Sequence, residues 1–409
     1  APMHTAGGRL FVDVTPQLAS PAARAAFIHA MGASDPLIKD ALEAVVERGL
    51  IPAQAEHENA PRVPLAEGAA PADTDPDVPA GLIRRFEASL ETAKQNIRTK
   101  TGLALFDFIL EDLRELQKLL TDPQSLGVIL AAMNASIRLN RNIGEWLGEN
   151  GAADAFSQSV PYNVTSEMGL ALLDVADAIR PHPEIVEYLQ RVRDDRFLAE
   201  LPRFEGGREV REAIEGFLDR YGMRCSGEID LTRPRWSENP SALIPTLLAN
   251  VKNFTPGESR RRFERGRREA LQKERELLRR LEELPDGAAK AAEAKRLIGI
   301  IRNFGGYREY PKYAMMNRYF LYKRALLGEA ERLVRAGVLR EREDIFFLTF
   351  EELRETVRTG ALSNPDVIPA RKEEFAEYAK LTPPRVMTSD GEIVTGSYRR
   401  GPLPHGAIP

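Results

Sequence analysis

The sequence predicts a mainly α fold: a multi-helix domain with minor β elements, namely a short N-terminal strand and a C-terminal hairpin. Three observations carry that reading. Five pairs set a capping side chain before proline at the head of an apolar-periodic segment: Ser20-Pro21, Asp35-Pro36, Asp122-Pro123, Asn239-Pro240 and Asn364-Pro365. The capping oxygen accepts from a free backbone N–H, and proline fits where no N–H is needed. Apolar residues recur at three- and four-residue steps through Leu82, Phe86, Leu90, Ile97, Leu105, Ile109, Leu113, Leu116 and Leu120, the spacing of a buried helical stripe. Strand signals are confined to Leu10–Val14 and to two short runs, 386–389 and 392–395, flanking Asp390-Gly391, a dipeptide suited to a two-residue hairpin turn.

Taken in order, residues 1–50 hold the strand and two helical segments, the second closed by Gly49. Residues 51–80 are rich in proline, alanine and acid and read as a flexible loop,. Residues 81–382 form the helical domain, with one helix from Pro123 to about Leu147, an irregular polar stretch at 156–165, a helix beginning near Ser166, and another over 206–222. A compact non-helical patch follows at 223–236. Over 258–284 ten cations face seven acids while one side stays apolar, which is a long helix with a solvated face rather than a nucleic-acid arm. Residues 383–409 are the hairpin and a linker. Alanine at position 1 and the ending Gly406-Ala407-Ile408-Pro409 suggest cuts through a longer polypeptide.

Composition excludes several classes. A net charge of −4 over 409 residues gives no reason to expect nucleic-acid binding,. The single Cys225 cannot form an internal disulfide, no apolar run spans a bilayer, and the expected setting is cytoplasmic with no membrane partner,. Neither a phosphate-binding Gly-x-x-x-x-Gly-Lys-Ser/Thr loop nor Gly-x-Gly-x-x-Gly after a strand occurs, and no metal site is expected, since the five histidines are not spaced as a metal pair,. Cys225 reads as a buried structural thiol.

The segment Gly305-Gly306-Tyr307-Arg308-Glu309-Tyr310-Pro311-Lys312 stands apart. Two glycines loosen the backbone, two cations bracket a carboxylate, and Pro311 suits the first turn of a helix, whose N-terminus attracts anions. The segment reads as built to hold a negative group such as a phosphate. On spacing alone, a surface helix start with an ion pair is the favoured alternative.

Several stretches together resemble one family: Gly8-Arg9-Leu10-Phe11-Val12-Asp13-Val14-Thr15-Pro16, Met31–Leu37, Val164–Leu170, Tyr221–Asp230, Arg308–Lys312 and Asp344–Leu353. The chain is similar to the central, antibiotic-binding domain of the rifampin phosphotransferases, relatives of the phosphoenolpyruvate synthases, over nearly its whole length. The resemblance implies a three-part enzyme. An ATP-binding domain uses ATP and Mg to phosphorylate a histidine on a swivelling domain, and that histidine passes the phosphoryl group to an ansa-bridge hydroxyl of a rifamycin. This chain then holds no cofactor of its own, and its partners are the antibiotic and the other two domains. His405 falls in the linker and is not the phosphocarrier.

Residue by residue, the resemblance implies catalytic roles for Arg308, Glu309 and Lys312. Phosphoryl transfer needs charge neutralisation and positioning. Arg308 can grip two oxygens and Lys312 act as a point charge, while Glu309 orients the acceptor hydroxyl, takes its proton or holds Arg308. A bulky apolar antibiotic needs an aromatic and aliphatic pocket, for which the candidates are Phe11, Val12, Val14, Gln17, Met31, Leu37, Phe106 and Met133. Arg224, Glu228, Asp230, Arg233 and Arg235 either face the incoming domain or brace an irregular loop. Two other functions stand beside this one: an acceptor domain for a different substrate, and a non-catalytic helical scaffold.

Overall fold

A computed structural model describes residues 3–51, 75–149 and 151–395. Among the described residues the fold is mainly α, with one two-stranded antiparallel sheet. The chain forms two compact units, one from the described parts of 1–67 and 364–409, the other from those of 68–363.

In the first unit β1 (Met3–Ala6) pairs with β2 (Arg9–Val12) across Gly7-Gly8, both with positive φ. Three helices follow: α1 (Thr15–Ala19), α2 (Pro21–Ser34) and α3 (Pro36–Glu47). Asp35 caps α3 as its proline pairing predicts, its side chain accepting from Leu37 N at 2.9 Å. The predicted C-terminal hairpin appears as a turn with a single bridge, Met387 to Ile393, rather than as full strands. It folds onto the N-terminal helices: Val394 joins a core with Leu18, Ile28, Leu42 and Val45, and Arg48 pairs with Glu392 at 2.7 Å.

The second unit runs through α4 (Asp77–Ile97), α5 (Leu103–Leu120), α6 (Pro123–Leu147), α7 (Ala152–Phe156), α8 (Val164–Ile179), α9 (Pro183–Arg191) and α10 (Phe197–Glu200). It continues with α11 (Gly207–Tyr221), α12 (Ile244–Asn253), α13 (Glu258–Glu282), α14 (Gly287–Phe304), α15 (Tyr310–Arg335) and α16 (Phe350–Thr359). A last helix, α17 (Val367–Ala379), belongs to the first unit. Asp122 caps α6 by accepting from Ser125 N at 2.9 Å, and Asn163 caps α8 by accepting from Ser166 N at 3.0 Å. The apolar stripe over 82–120 is divided between α4 and α5, where Gly102 takes a positive φ. One core of Leu139, Ile143, Ile179, Ile185, Leu201, Val210, Leu281, Ala294 and Phe304 joins α6, α8, α9, α11, α13 and α14. Burying each such aliphatic or aromatic side chain contributes about 1.5–3 kcal/mol. No helix among the described residues is long and apolar enough to cross a membrane.

Candidate functional site

The segment singled out in the sequence sits between α14 and α15, on the second unit. Residues Gly305–Glu309 form a 3-10 turn and α15 starts at Tyr310, with Pro311 in its first turn. The physical basis differs from the sequence expectation in two respects. Gly305 sits in ordinary right-handed helical backbone, and a Cβ at Gly306 would lie 2.0 Å from the carbonyl oxygen of Pro161, so that residue permits close approach of the 157–163 segment. Nor does α15 offer a bare N-terminus, because the Tyr310 N–H already donates to Tyr307 O. Positive charge here comes from side chains.

Arg308 is exposed, and its Nη2 donates to Glu309 Oε1 at 3.1 Å. Glu309 Oε2 accepts weakly from Thr165 Oγ1 at 3.4 Å. One α-helical turn beyond Arg308, Lys312 is half-exposed, with Nζ 3.0 Å from Glu228 Oε1. That oxygen makes no aligned hydrogen bond, so the contact is an ion pair by distance alone. The other oxygen of Glu228 accepts from Arg224 Nε at 2.5 Å. Glu228 is 5% exposed. One buried carboxylate is therefore shared by Arg224 and Lys312, and it joins two stretches that the sequence separates widely.

The 223–236 patch is partly buried and partly exposed. Arg224 and Glu228 meet the cationic corner, Asp230 and Arg233 are exposed and pair loosely at 3.7 Å, and Arg235 is an internal brace. Arg235 is 1% exposed, its backbone N–H donates to Glu238 Oε2 at 2.8 Å, and its Nη1 lies 3.1 Å from Cys225 Sγ. Lys323 Nζ closes the brace on Glu238 Oε2 at 2.6 Å and Arg233 O at 3.0 Å.

Beside the corner lies a cleft of about 170 Å³ lined by Tyr162, Val164, Glu167, Arg220, Tyr310 and Tyr313, among others. Sequence reasoning did not single out these tyrosines, although Tyr307, Tyr310 and Tyr313 recur at three-residue steps. Burial raises the phenol pKa values of Tyr310 and Tyr313, so both are neutral hydrogen-bonding groups. Tyr310 donates to Glu87 Oε1 at 3.3 Å and Tyr313 to Arg220 O at 2.8 Å. Tyr162 adopts φ +65°, a strained value for a residue with a side chain. The cleft is smaller than the roughly 300 Å³ at which drug-sized pockets begin.

The apolar candidates are distributed over both units. Phe11, Val12, Val14, Gln17, Met31 and Leu37 lie on the first, Phe106 and Met133 on the second. Val14 and Met31 pack on the first unit's core, Phe11 and Leu37 are half-buried, and Val12 is 59% exposed. Gln17 Oε1 is buried without a hydrogen-bond partner among the described residues. Phe106 is fully buried with its ring 5.0 Å from Phe350, whereas Met133 is 45% exposed on α6. Residues 52–74, within the segment read as a flexible loop, lie outside the described residues, as does His405. No group of three or more acidic, histidine or cysteine side chains able to hold a metal ion occurs among the described residues.

The fold and corner define a helical domain that offers two accessible cations around a carboxylate, with a buried carboxylate behind them. Residues 124–309 match the family described as Rifampicin phosphotransferase fourth domain. The whole chain is 57% identical over 411 residues to rifampicin phosphotransferase of Bacillus subtilis (strain 168), covering 47% of that protein. It is 55% identical over 409 residues to the protein of the same name from Streptomyces sviceus, again covering 47% of it. Half of the chain is 23% identical to the prodigiosin synthesizing transferase PigC of Serratia marcescens, covering 22% of that protein. Along its full length the chain is thus a relative of the rifampicin phosphotransferases, and it spans about half the length of those relatives.

Proposed function

We propose that this chain is the acceptor-binding part of an ATP-dependent antibiotic phosphotransferase, and that it seats a rifamycin hydroxyl beside Arg308, Glu309 and Lys312. The observation that carries this reading is the corner itself: two solvent-accessible cations bracket Glu309, and the ammonium of Lys312 is held from behind by buried Glu228. A phosphohistidine on another domain brings the phosphoryl group, with ATP and Mg bound outside this chain. The acceptor oxygen attacks phosphorus, its proton passes to Glu309, and the P–N bond to the imidazole breaks. Arg308 and Lys312 neutralise the phosphoryl oxygens as that bond lengthens. Asp230 and Arg233, both exposed, face the incoming domain, and the setting is the cytoplasm.

Calorimetric titration of the chain with rifampicin should give saturable heat, and a flat trace at high ligand concentration refutes the reading. In the full-length polypeptide, Arg308→Ala and Lys312→Ala should each lower turnover by about 10²-fold or more, with antibiotic affinity changed less than about threefold. Full activity in both variants would make the chain a scaffold instead. A second acceptor class is favoured by one observation, the partial similarity to a natural-product transferase. Competition between rifampicin and other candidate acceptors for the chain separates the two.

A further inference from the structure

The 157–166 segment that touches Glu309 through Thr165 also lines a larger cleft, of about 560 Å³, against α13. Its walls carry an excess of guanidinium groups. Arg262 and Arg265 enter it, and together with Arg261 they converge on one carboxylate, Glu258, at 3.0–3.4 Å. Hydrogen bonding from Arg261 leads the causes that hold the Glu258 carboxyl below its usual range. One charge cannot balance three cations.

The opposite wall supplies hydroxyls. Ser159 and Ser166 line the cleft, and neither Oγ has a hydrogen-bond partner among the described residues. Ser159 stands at φ +49°, a strained value for a residue with a side chain. Gly266 makes room for it, since a Cβ there would lie 2.3 Å from Ser159 Oγ. Glu269 also lines the cleft and has no ion-pair partner among the described residues. Strain, a glycine-dependent fit, free hydroxyls and surplus cations thus coincide, with one free acceptor among them.

We propose that this cleft binds hydrogen phosphate, with Arg262 and Arg265 on its charged oxygens, Ser159 and Ser166 donating, and Glu269 accepting from its remaining O–H. A tetrahedral oxyanion needs donors from several directions, and guanidinium forks meet it with paired hydrogen bonds. Glu269 makes the site selective. Sulfate has the same shape and charge but no proton at neutral pH, so it meets that carboxylate as a like charge. A phosphate monoester, mostly dianionic above about pH 6, meets it in the same way. This assignment is independent of the acceptor role proposed for the corner.

The test is calorimetric titration of the chain at pH 7.5 and constant ionic strength with sodium phosphate, sodium sulfate, glycerol phosphate and sodium chloride. Phosphate should bind saturably. Sulfate and the monoester should bind about tenfold more weakly, since each meets the Glu269 carboxylate as a like charge where hydrogen phosphate donates to it, and chloride should give only dilution heat. Arg262→Ala/Arg265→Ala should abolish the signal while far-ultraviolet dichroism is retained, and Arg265→Ala alone should weaken it severalfold. Glu269→Gln should raise sulfate affinity to that of phosphate. The proposal is overturned if phosphate behaves as chloride does, if sulfate matches phosphate on the parent chain, or if the double-arginine variant keeps the parent affinity.

Discussion

Replacing Glu228 by glutamine removes one negative charge from between two positive ones. Lys312 Nζ lies 3.0 Å from one oxygen and Arg224 Nε 2.5 Å from the other. At an effective dielectric constant of about 20, a unit pair at 3.0 Å attracts by ~5.5 kcal/mol before desolvation is subtracted. The two cations do not share the loss equally. Lys312 is 48% exposed, so solvent screens its part to about 1 kcal/mol or less,. Arg224 is 11% exposed, and losing its carboxylate strands a buried guanidinium, at about 3 kcal/mol,. Glu228→Gln should therefore destabilise the second unit by about 3 kcal/mol, lowering Tm by roughly 6–10 °C for a unit of this size. Lys312→Met, which leaves the Arg224 pair intact, should cost less than about 1 kcal/mol. Urea unfolding followed by far-ultraviolet dichroism measures both, and the double variant gives their coupling. A Glu228→Gln loss below about 0.5 kcal/mol, or a loss equal to that of Lys312→Met, would refute the view of Glu228 as the buried hub.

Three further outcomes follow from the same geometry. Gly306→Ala places a methyl 2.0 Å from Pro161 O and should cost about 3 kcal/mol in chemical unfolding; a silent substitution would mean that the 157–163 segment is not pressed against the turn. Tyr221 is buried and its hydroxyl has no partner among the described residues, so Tyr221→Phe should leave stability unchanged or raise it by up to ~1 kcal/mol, and a clear loss would reveal a missing partner. Burial pushes the Tyr188 and Tyr221 phenols up to about 12. With folded values above the unfolded one, their contribution is intact below pH ~10 and lost as pH rises through about 12. Unfolding midpoints should fall across that window, and Tyr221→Phe should flatten the decline; a midpoint constant from pH 9 to 12 would contradict the burial.

Local signals were legible in part: Asn239 makes no side-chain cap at its 3-10 turn, and α17 begins at Val367, past the Asn364-Pro365 pair. The oxygens of Asp35 and Asp122 cap α3 and α6 where their Asp-Pro pairs stand, and α6 ends at Leu147 as its periodicity indicates. Features that depend on distant partners were not legible. β1 is a strand because β2 pairs with it, although Met3–Ala6 has no strong strand composition of its own. The break between α4 and α5 hides inside one continuous apolar stripe, since Gly102 needs its positive φ only in the folded chain. Around the corner, the sequence shows Arg308 and Lys312 bracketing Glu309, but no local pattern says that Lys312 and Arg224 share Glu228, or that Gly306 exists for the sake of Pro161. Those are tertiary facts, set by packing between elements far apart in the chain.

The five-residue 3-10 turn between α14 and α15 also has a geometric consequence. A 3-10 helix advances 120° per residue and an α-helix 100°, so five residues of the tighter form overwind the run by about 100°. The side chains that α15 would present as a straight continuation of α14 are thereby rotated by more than a quarter turn. Aim at the corner is set by the helical phase of this turn, so lengthening or shortening it by one residue should point Lys312 away from Glu228 without unfolding either helix.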